Sequence, residues 1–196
     1  MKSLLVATTN PGKVAEYQEL LQGLPLDIIG LREAGIDVDV AETGATFEEN
    51  ARLKSQAYAS ISRLLTLADD SGVCVDALGG APGVYSARYA RSDHARIERL
   101  LSELNDVPDD RRTARFVCVI ALAQPAGEIV TFEGRCEGRI ARQPSGSNGF
   151  GFDPIFFIPE HNQTMADLSN EIKNRISHRA RAAAQARAWL MKTCQS

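Results

Sequence analysis

The stretch SLLVATTNPGKVAEYQELL, residues 3–21, decides the fold class. It opens with SLLVA (3–7), a short unbroken apolar run that reads as a buried β-strand. The polar TTNPG that follows does not continue a strand. Asn10 is suited to cap a helix and Pro11 to take its first position, and Val14, Tyr17, Leu20 and Leu21 then recur at helical spacing. Strand, tight turn and helix in that order open an α/β protein. The same arrangement suits a phosphate, because helix N–H groups, the hydroxyls of Thr8 and Thr9, the amide of Asn10 and the Lys13 ammonium can converge on one spot. It is not a Walker loop: Ala7 stands where the first glycine would be, and Val14 where the metal-holding Ser or Thr would be. A plain helix cap with a surface lysine is the alternative at this point.

Working outward, LDIIGL (26–31) reads as a second strand. Thr46 and Glu49 make a capping box for a helix over residues 47–63. LLTLADD (64–70) is a third strand, ending in two acids and a Ser-Gly turn. SDHARIERLLSEL (92–104) is an amphipathic helix, and ARFVCVIALAQ (114–124) with EIVTFEGRCEG (128–138) is an antiparallel hairpin about PAG. RQPSGSNGFGFDP (142–154) has too many Gly, Ser and Pro for regular structure and reads as a long functional loop. IFFI (155–158) is a short strand, Thr164 opens a helical turn, and an Ala- and Arg-rich helix over 175–192 closes the chain. A parallel start with an antiparallel middle predicts an α/β protein with a mixed sheet.

At 196 residues, the chain suits one sizeable domain or two lobes sharing a core. With 44% apolar and 24% charged residues, it has the balance of a folded globular protein. A net charge of -3 offers no bulk attraction to nucleic acid or an acidic membrane, and no apolar run is long enough to span a bilayer. MKSLLVATTN is too short for a signal-peptide core. Cys74, Cys118, Cys136 and Cys194 form no C-x-x-C pair, so reduced thiols in a cytoplasmic protein are expected.

Chemistry concentrates in three further places. Asp69 and Asp70 close an apolar strand, and alternation points them opposite ways. A carboxylate there can hold Mg²⁺, which takes hard oxygen ligands, although Asp-Ser-Gly is also a common turn. Glu42 precedes TGATFEENARLK, in which Asn50 and Lys54 share a helix face that meets either the acids and phosphates or solvent. In the glycine-rich loop, Phe150 and Phe152 either stack on a flat base or plug the core. His178 and Arg179 can donate to ring oxygens or phosphates, or serve the fold alone.

TTNPGK, ETGATFEENARLK, ADDSGVCVDALGGAPGVYSARYA, GFGFDPIFF and EIKNRISHR occur in this order along nearly the whole chain. On these motifs the chain resembles the inosine triphosphate pyrophosphatases, also described as XTP/dITP diphosphatases. The resemblance implies hydrolysis of ITP, dITP and XTP to the monophosphate and pyrophosphate, with Mg²⁺ as cofactor. It implies that Thr8, Thr9, Asn10, Pro11, Gly12 and Lys13, with Lys54, hold the triphosphate. Asp70 would be general base and metal ligand, Ser71 would touch substrate beside it, and Glu42 would help with the metal. Phe150, Gly151, Phe152, Asp153, Lys173, His178 and Arg179 would form the base and sugar pocket. The implied fold is a single domain spanning residues 1–196: a long twisted mixed sheet, with two lobes flanking an active-site cleft. The implied assembly is a homodimer without nucleic-acid or membrane partners.

Three departures from the family pattern stand out. Ala41 precedes Glu42 where paired glutamates are common, Phe152 replaces a usual Tyr or Trp, and Ser147-Asn148 replace smaller or different residues. A nucleotide sensor that does not cleave is disfavoured by Asp70 beside Lys13 and Lys54. A pyrophosphatase for modified pyrimidines is disfavoured by the GFGFDP and SHR motifs.

Overall fold

The computed structural model describes residues 2–125 and 127–194. Within them lie strands β1 (Lys2–Val6), β2 (Leu26–Gly30), β3 (Leu65–Val75), β4 (Thr113–Ala123), β5 (Ile129–Ile140), β6 (Phe156–Ile158) and β7 (Gln163–Thr164). The helices are α1 (Pro11–Leu20), α2 (Phe47–Ser62), α3 (Asp93–Glu103), α4 (Asn170–Ile176) and α5 (His178–Cys194). The strands form one sheet in the order β2-β1-β3-β4-β5-β6-β7. β1 runs parallel to β2 and β3, whereas β6 is antiparallel to β5 and β7, so the sheet is mixed as expected. No helix among the described residues is long and apolar enough to cross a membrane.

The chain divides into two compact units, with boundaries at Asp70/Ser71, Val117/Cys118, Gly134/Arg135 and His178/Arg179. In the first unit, the two-residue period of β1 explains its unbroken apolar run. Leu4 and Val6 pack with Tyr17 and Leu21 of α1 and with Ala182, Ala186 and Leu190 of α5. Leu5 and Ala7 pack with Ala68 and with Tyr58 of α2. Both faces of the strand are covered, so neither needs a polar residue. In the second unit, Val73, Val75, Leu100, Phe116, Ile140, Phe152, Phe156 and Met165 share one core. Burying each of the larger of these side chains is worth about 1.5–3 kcal/mol.

Several local expectations are corrected. Asp-Ser-Gly is not a turn: β3 continues through it to Val75. Gly72 permits this, since a Cβ there would overlap Gly83 O and Ser86, whose hydroxyl accepts the Val73 N–H at 3.0 Å. Thr164 ends a two-residue strand rather than opening a helical turn. Its hydroxyl donates to Ser145 O at 2.8 Å and pairs with Asp167, which pins the loop before it. The closing helix is two helices, broken where Ser177 turns extended at ψ 154. Serine is favoured just ahead of a helix, and the Ala- and Arg-rich composition around it masks the break. The capping box of α2 is half formed: Thr46 Oγ1 accepts the Glu49 N–H at 3.1 Å, but Glu49 Oε2 accepts from Ala45 N rather than from Thr46. The hairpin of β4 and β5 forms as expected, although Ala126 of its turn lies outside the described residues.

Candidate active site

In the first unit, α1 starts as the sequence indicates. Asn10 caps it, its side-chain oxygen accepting from Gly12 N at 2.9 Å and Lys13 N at 3.3 Å, with Pro11 in the first turn. Asn10 N in turn donates to Thr8 Oγ1 at 3.2 Å, and Thr9 is exposed beside them. Lys13 does not project into solvent. Its ammonium lies 2.9 Å from Asp69 Oδ2, the carboxylate being 1% exposed.

Asp69 and Asp70 are consecutive in β3 and find different partners. Asp69 meets Lys13, the Arg179 guanidinium at 3.7 Å and the Cys118 thiol at 3.7 Å. Arg179, the first residue of its own segment of this unit, is also held by Glu16 of α1 at 2.5 Å. Burial pushes the Asp69 carboxyl up, but Lys13, then Arg179 and Lys54, outweigh burial and hold it well below the usual carboxylate range. Burial first, then the Asp69 charge, push the Cys118 thiol up to about 12, so this cysteine is an inert core group.

Asp70 faces α2. Asn50, fully buried, donates its amide N–H to Asp70 Oδ2 at 2.9 Å while its oxygen accepts the Gly44 N–H at 2.8 Å. The Gly44 donor fixes the amide, so the nitrogen must face Asp70. Burial raises the Asp70 carboxyl above its ordinary range; Lys54 and the Asn50 hydrogen bond oppose it, and Glu42 adds to it. Lys54 itself pairs with Glu42. A buried carboxylate with a raised pKa beside a lysine and a second carboxylate is the environment of a proton acceptor.

In the second unit, Asp153 and Lys173 form a buried ion pair at 2.7 Å. Asp153 also accepts the Phe150 N–H at 3.1 Å, and the Lys173 ammonium lies 5.5 Å from the centre of the Phe150 ring. Gly149 is required here: its φ is +83, and a Cβ would overlap both Asp153 and Lys173. The two loop phenylalanines separate in role. Phe152 is 5% exposed and belongs to the core, whereas Phe150 is only half-buried. His178 stacks on Phe116, with ring centres 4.7 Å apart and planes 19° apart. Ser71 is half-buried in β3.

The expected residues therefore fall into two sets. Lys13, Glu42, Lys54, Asp70 and Arg179 share the first unit with Thr8–Gly12, and Ser71, Phe150–Asp153, Lys173 and His178 belong to the second. Within the first unit, Arg179 pairs with the carboxylates of Glu16 and Asp69. Sequence reasoning passed over one member. Glu16 lies three residues after Lys13 on one face of α1, a spacing that was available as a signal. Of the two alternatives for the face shared by Asn50 and Lys54, the acids are the one met: Asn50 donates to Asp70.

The sequence model of the Ham1 family matches residues 4–189. The chain belongs to the Ham1 family. It is 53% identical over 185 residues to a dITP/XTP pyrophosphatase of Shouchella clausii, covering 93% of each chain. A protein of the same name from Bacillus subtilis is 49% identical over 185 residues, again covering 93% of each. Among solved structures, a HAM1 protein from Coxiella burnetii superposes with a TM-score of 0.89 at 43% identity, covering 98% of this chain and 100% of that one. A nucleoside-triphosphatase / dITP/XTP pyrophosphatase of Mycobacterium abscessus gives a TM-score of 0.76 at 46% identity, with 95% and 98% coverage. The mixed α/β fold is thus that of the Ham1 proteins.

Proposed function

We propose that this protein hydrolyses the deaminated purine nucleoside triphosphates ITP, dITP and XTP to the monophosphate and pyrophosphate, clearing them from the nucleotide pool. The observation that carries the proposal is identity near one half, over 93% of the chain, to proteins named dITP/XTP pyrophosphatase. In this reading the first set of residues, Arg179 apart, serves the triphosphate and the reaction, and the second, together with Arg179, serves the base and sugar.

Phosphoryl transfer is governed by positioning and charge stabilisation. Lys13 and Lys54 neutralise phosphate oxygens that would otherwise repel an incoming water, with the hydroxyls of Thr8 and Thr9 and the turn Asn10–Gly12 around them. Asp70 takes the proton of that water, and its raised pKa brings it nearer the operating pH than an exposed carboxylate. Among the described residues no group of three or more His, Cys, Asp or Glu could hold a metal. Mg²⁺ needs no such cage, since it binds through one or two carboxylates, substrate phosphates and water. Glu42, which pairs with Lys54, and Asp70, whose charge acts on the same ammonium, would supply such a pair. When bound, Mg²⁺ supplies positive charge to the triphosphate oxygens.

Phe150 offers a ring face to the base; Gly151 and Phe152 shape the loop, with Asp153, Lys173, His178 and Ser71 around the sugar and base. Arg179 reads the 6-oxo group that distinguishes inosine and xanthine from adenine, since a guanidinium has five donors and can serve carboxylates and an oxo group together. The protein acts in the cytoplasm as a homodimer, without nucleic-acid or membrane partners. The thiols of Cys74 and Cys118 suit a reducing compartment, and sedimentation velocity checks the dimer. The proposal is tested by incubating a nucleotide panel with Mg²⁺ and scoring monophosphate and pyrophosphate. ITP, dITP and XTP should be cleaved well ahead of ATP and GTP, and equal turnover of all five would overturn it.

Two variants probe the assignments separately. Lys13→Ala should lower kcat/KM for ITP and GTP by the same factor, about 10²-fold or more, because both carry one triphosphate. Loss confined to ITP contradicts a phosphate role. Arg179→Ala should narrow the ITP-to-ATP preference and also lower the melting temperature, since Glu16 and Asp69 lose a shared partner. A preference ratio equal to the parent's removes Arg179 from base reading.

A further inference from the structure

We propose that Asp93, the first residue of α3, is a positioning residue that sets the place of the Phe150 ring and hence the affinity for the base. This rests on the assignment of the Phe150 loop to the base. Phe150 lies between two glycines in the left-handed region, Gly149 at φ +83 and Gly151 at φ +64. Glycine gives this backbone little stiffness of its own, so neighbouring hydrogen bonds must hold it. On the N-terminal side, Phe150 N donates to Asp153 Oδ2 at 3.1 Å. On the C-terminal side, Gly151 N donates to Asp93 Oδ2 at 2.8 Å.

Asp93 is itself anchored. Its Oδ1 accepts from Arg96 Nη1 at 2.6 Å, and Arg96 donates further to Ala90 O at 3.2 Å and to Ala87 O. The carboxylate therefore ties the loop tip to α3 and to the segment before it, all within the second unit. An N–H bond to an ionised acceptor is short and stronger than a neutral one, which suits a tether on soft backbone. An acid in the first turn also favours a helix through its dipole. That service to α3 alone would have no bearing on the base.

The experiment measures steady-state hydrolysis of ITP by the full chain, inhibition by inorganic tripolyphosphate, which has no base, and melting temperature. Asp93→Ala should raise KM for ITP about tenfold with kcat within about twofold, as for loss of a charged hydrogen bond that holds a binding group. The inhibition constant of tripolyphosphate should stay at the parent value. Asp93→Asn keeps an oxygen for the Gly151 N–H and should return KM to within about threefold of the parent. In a Phe150→Ala background, Asp93→Ala should add nothing. A parent-like KM in Asp93→Ala, where Phe150→Ala alone raises KM, overturns the role of Asp93 and leaves the base assignment standing. Tripolyphosphate inhibition weakened in step with KM also overturns it, because only general loosening does that. A parent-like KM in Phe150→Ala removes the loop from base binding, and this inference with it.

Discussion

Asp70→Asn should abolish most turnover of ITP while the protein melts at or above the parent temperature. The side chain keeps its shape, and the Asn50 amide can still donate to the oxygen that remains. On the proposed roles of Asp70, what disappears is the proton acceptor, a loss of about 10²–10⁴ in rate, and a charged metal ligand in addition. The stability side follows from the direction of the Asp70 shift. Its folded-state pKa is raised, chiefly by burial, so the folded protein favours the protonated form. That contribution is complete below the unfolded value of about 4 and is lost as pH rises through the folded value. At neutral pH the ionised group is a cost to the fold, and the amide removes it. Turnover at saturating Mg²⁺, with melting in metal-free buffer on the same samples, checks both halves. Turnover within a few-fold of the parent in a protein that melts normally would sink Asp70 as base.

Asp69→Asn should behave in the opposite way, losing stability and activity together. Asp69 is buried between Lys13 and Arg179. Removing one member of a buried ion pair costs about 3–5 kcal/mol, a fall on the order of 10 °C in melting temperature for a chain of this size. Activity falls as well, because Lys13 loses the anchor that aims it. The pH dependence carries the signature. The Asp69 folded-state pKa is depressed despite burial, so its stabilisation is present above the unfolded value of about 4 and is lost progressively as pH falls below it. The parent should therefore weaken steeply in that acid window, and Asp69→Asn should weaken less. Thermal melts from pH 7 down to pH 3 decide it: parallel curves would mean that Asp69 carries no such charge-pair stability.

The parts of this protein that could be read from the chain are those in which local chemistry and tertiary role agree. Asn10, Pro11 and the spacing of Val14, Tyr17 and Leu21 define α1 from its own residues, and α1 forms as they direct. The apolar β1 run implied a strand covered on both faces, which it is. The misread places are those decided by residues distant in the chain. Gly72 looked like a turn residue because Asp-Ser-Gly so often is one, yet it is the approach of Gly83 and Ser86 that requires glycine. The Glu16–Arg179 pair joins residues 163 apart. Charges on separate elements carry no mark of their partner. The motif order drew attention to these residues, but the partners of Lys13, Lys54 and Arg179 come from the fold.

The alternation along β3 bears on how this segment can change over time. Leu67 belongs to the core around Tyr17 and Cys118, with Asp69 two residues on beside the same cysteine. Ala68 belongs to the core beneath α2, with Asp70 two residues on meeting Asn50 of that helix. Because the strand period is two, inserting or deleting one residue between Leu65 and Asp69 would exchange the faces of all that follow. The anchoring acid would arrive at Asn50, and Asp70, the proposed proton acceptor, would be locked between Lys13 and Arg179. Letters in this stretch can be traded for similar ones, but its length cannot vary, which makes it a gap-free ruler against which more divergent chains of the family can be aligned.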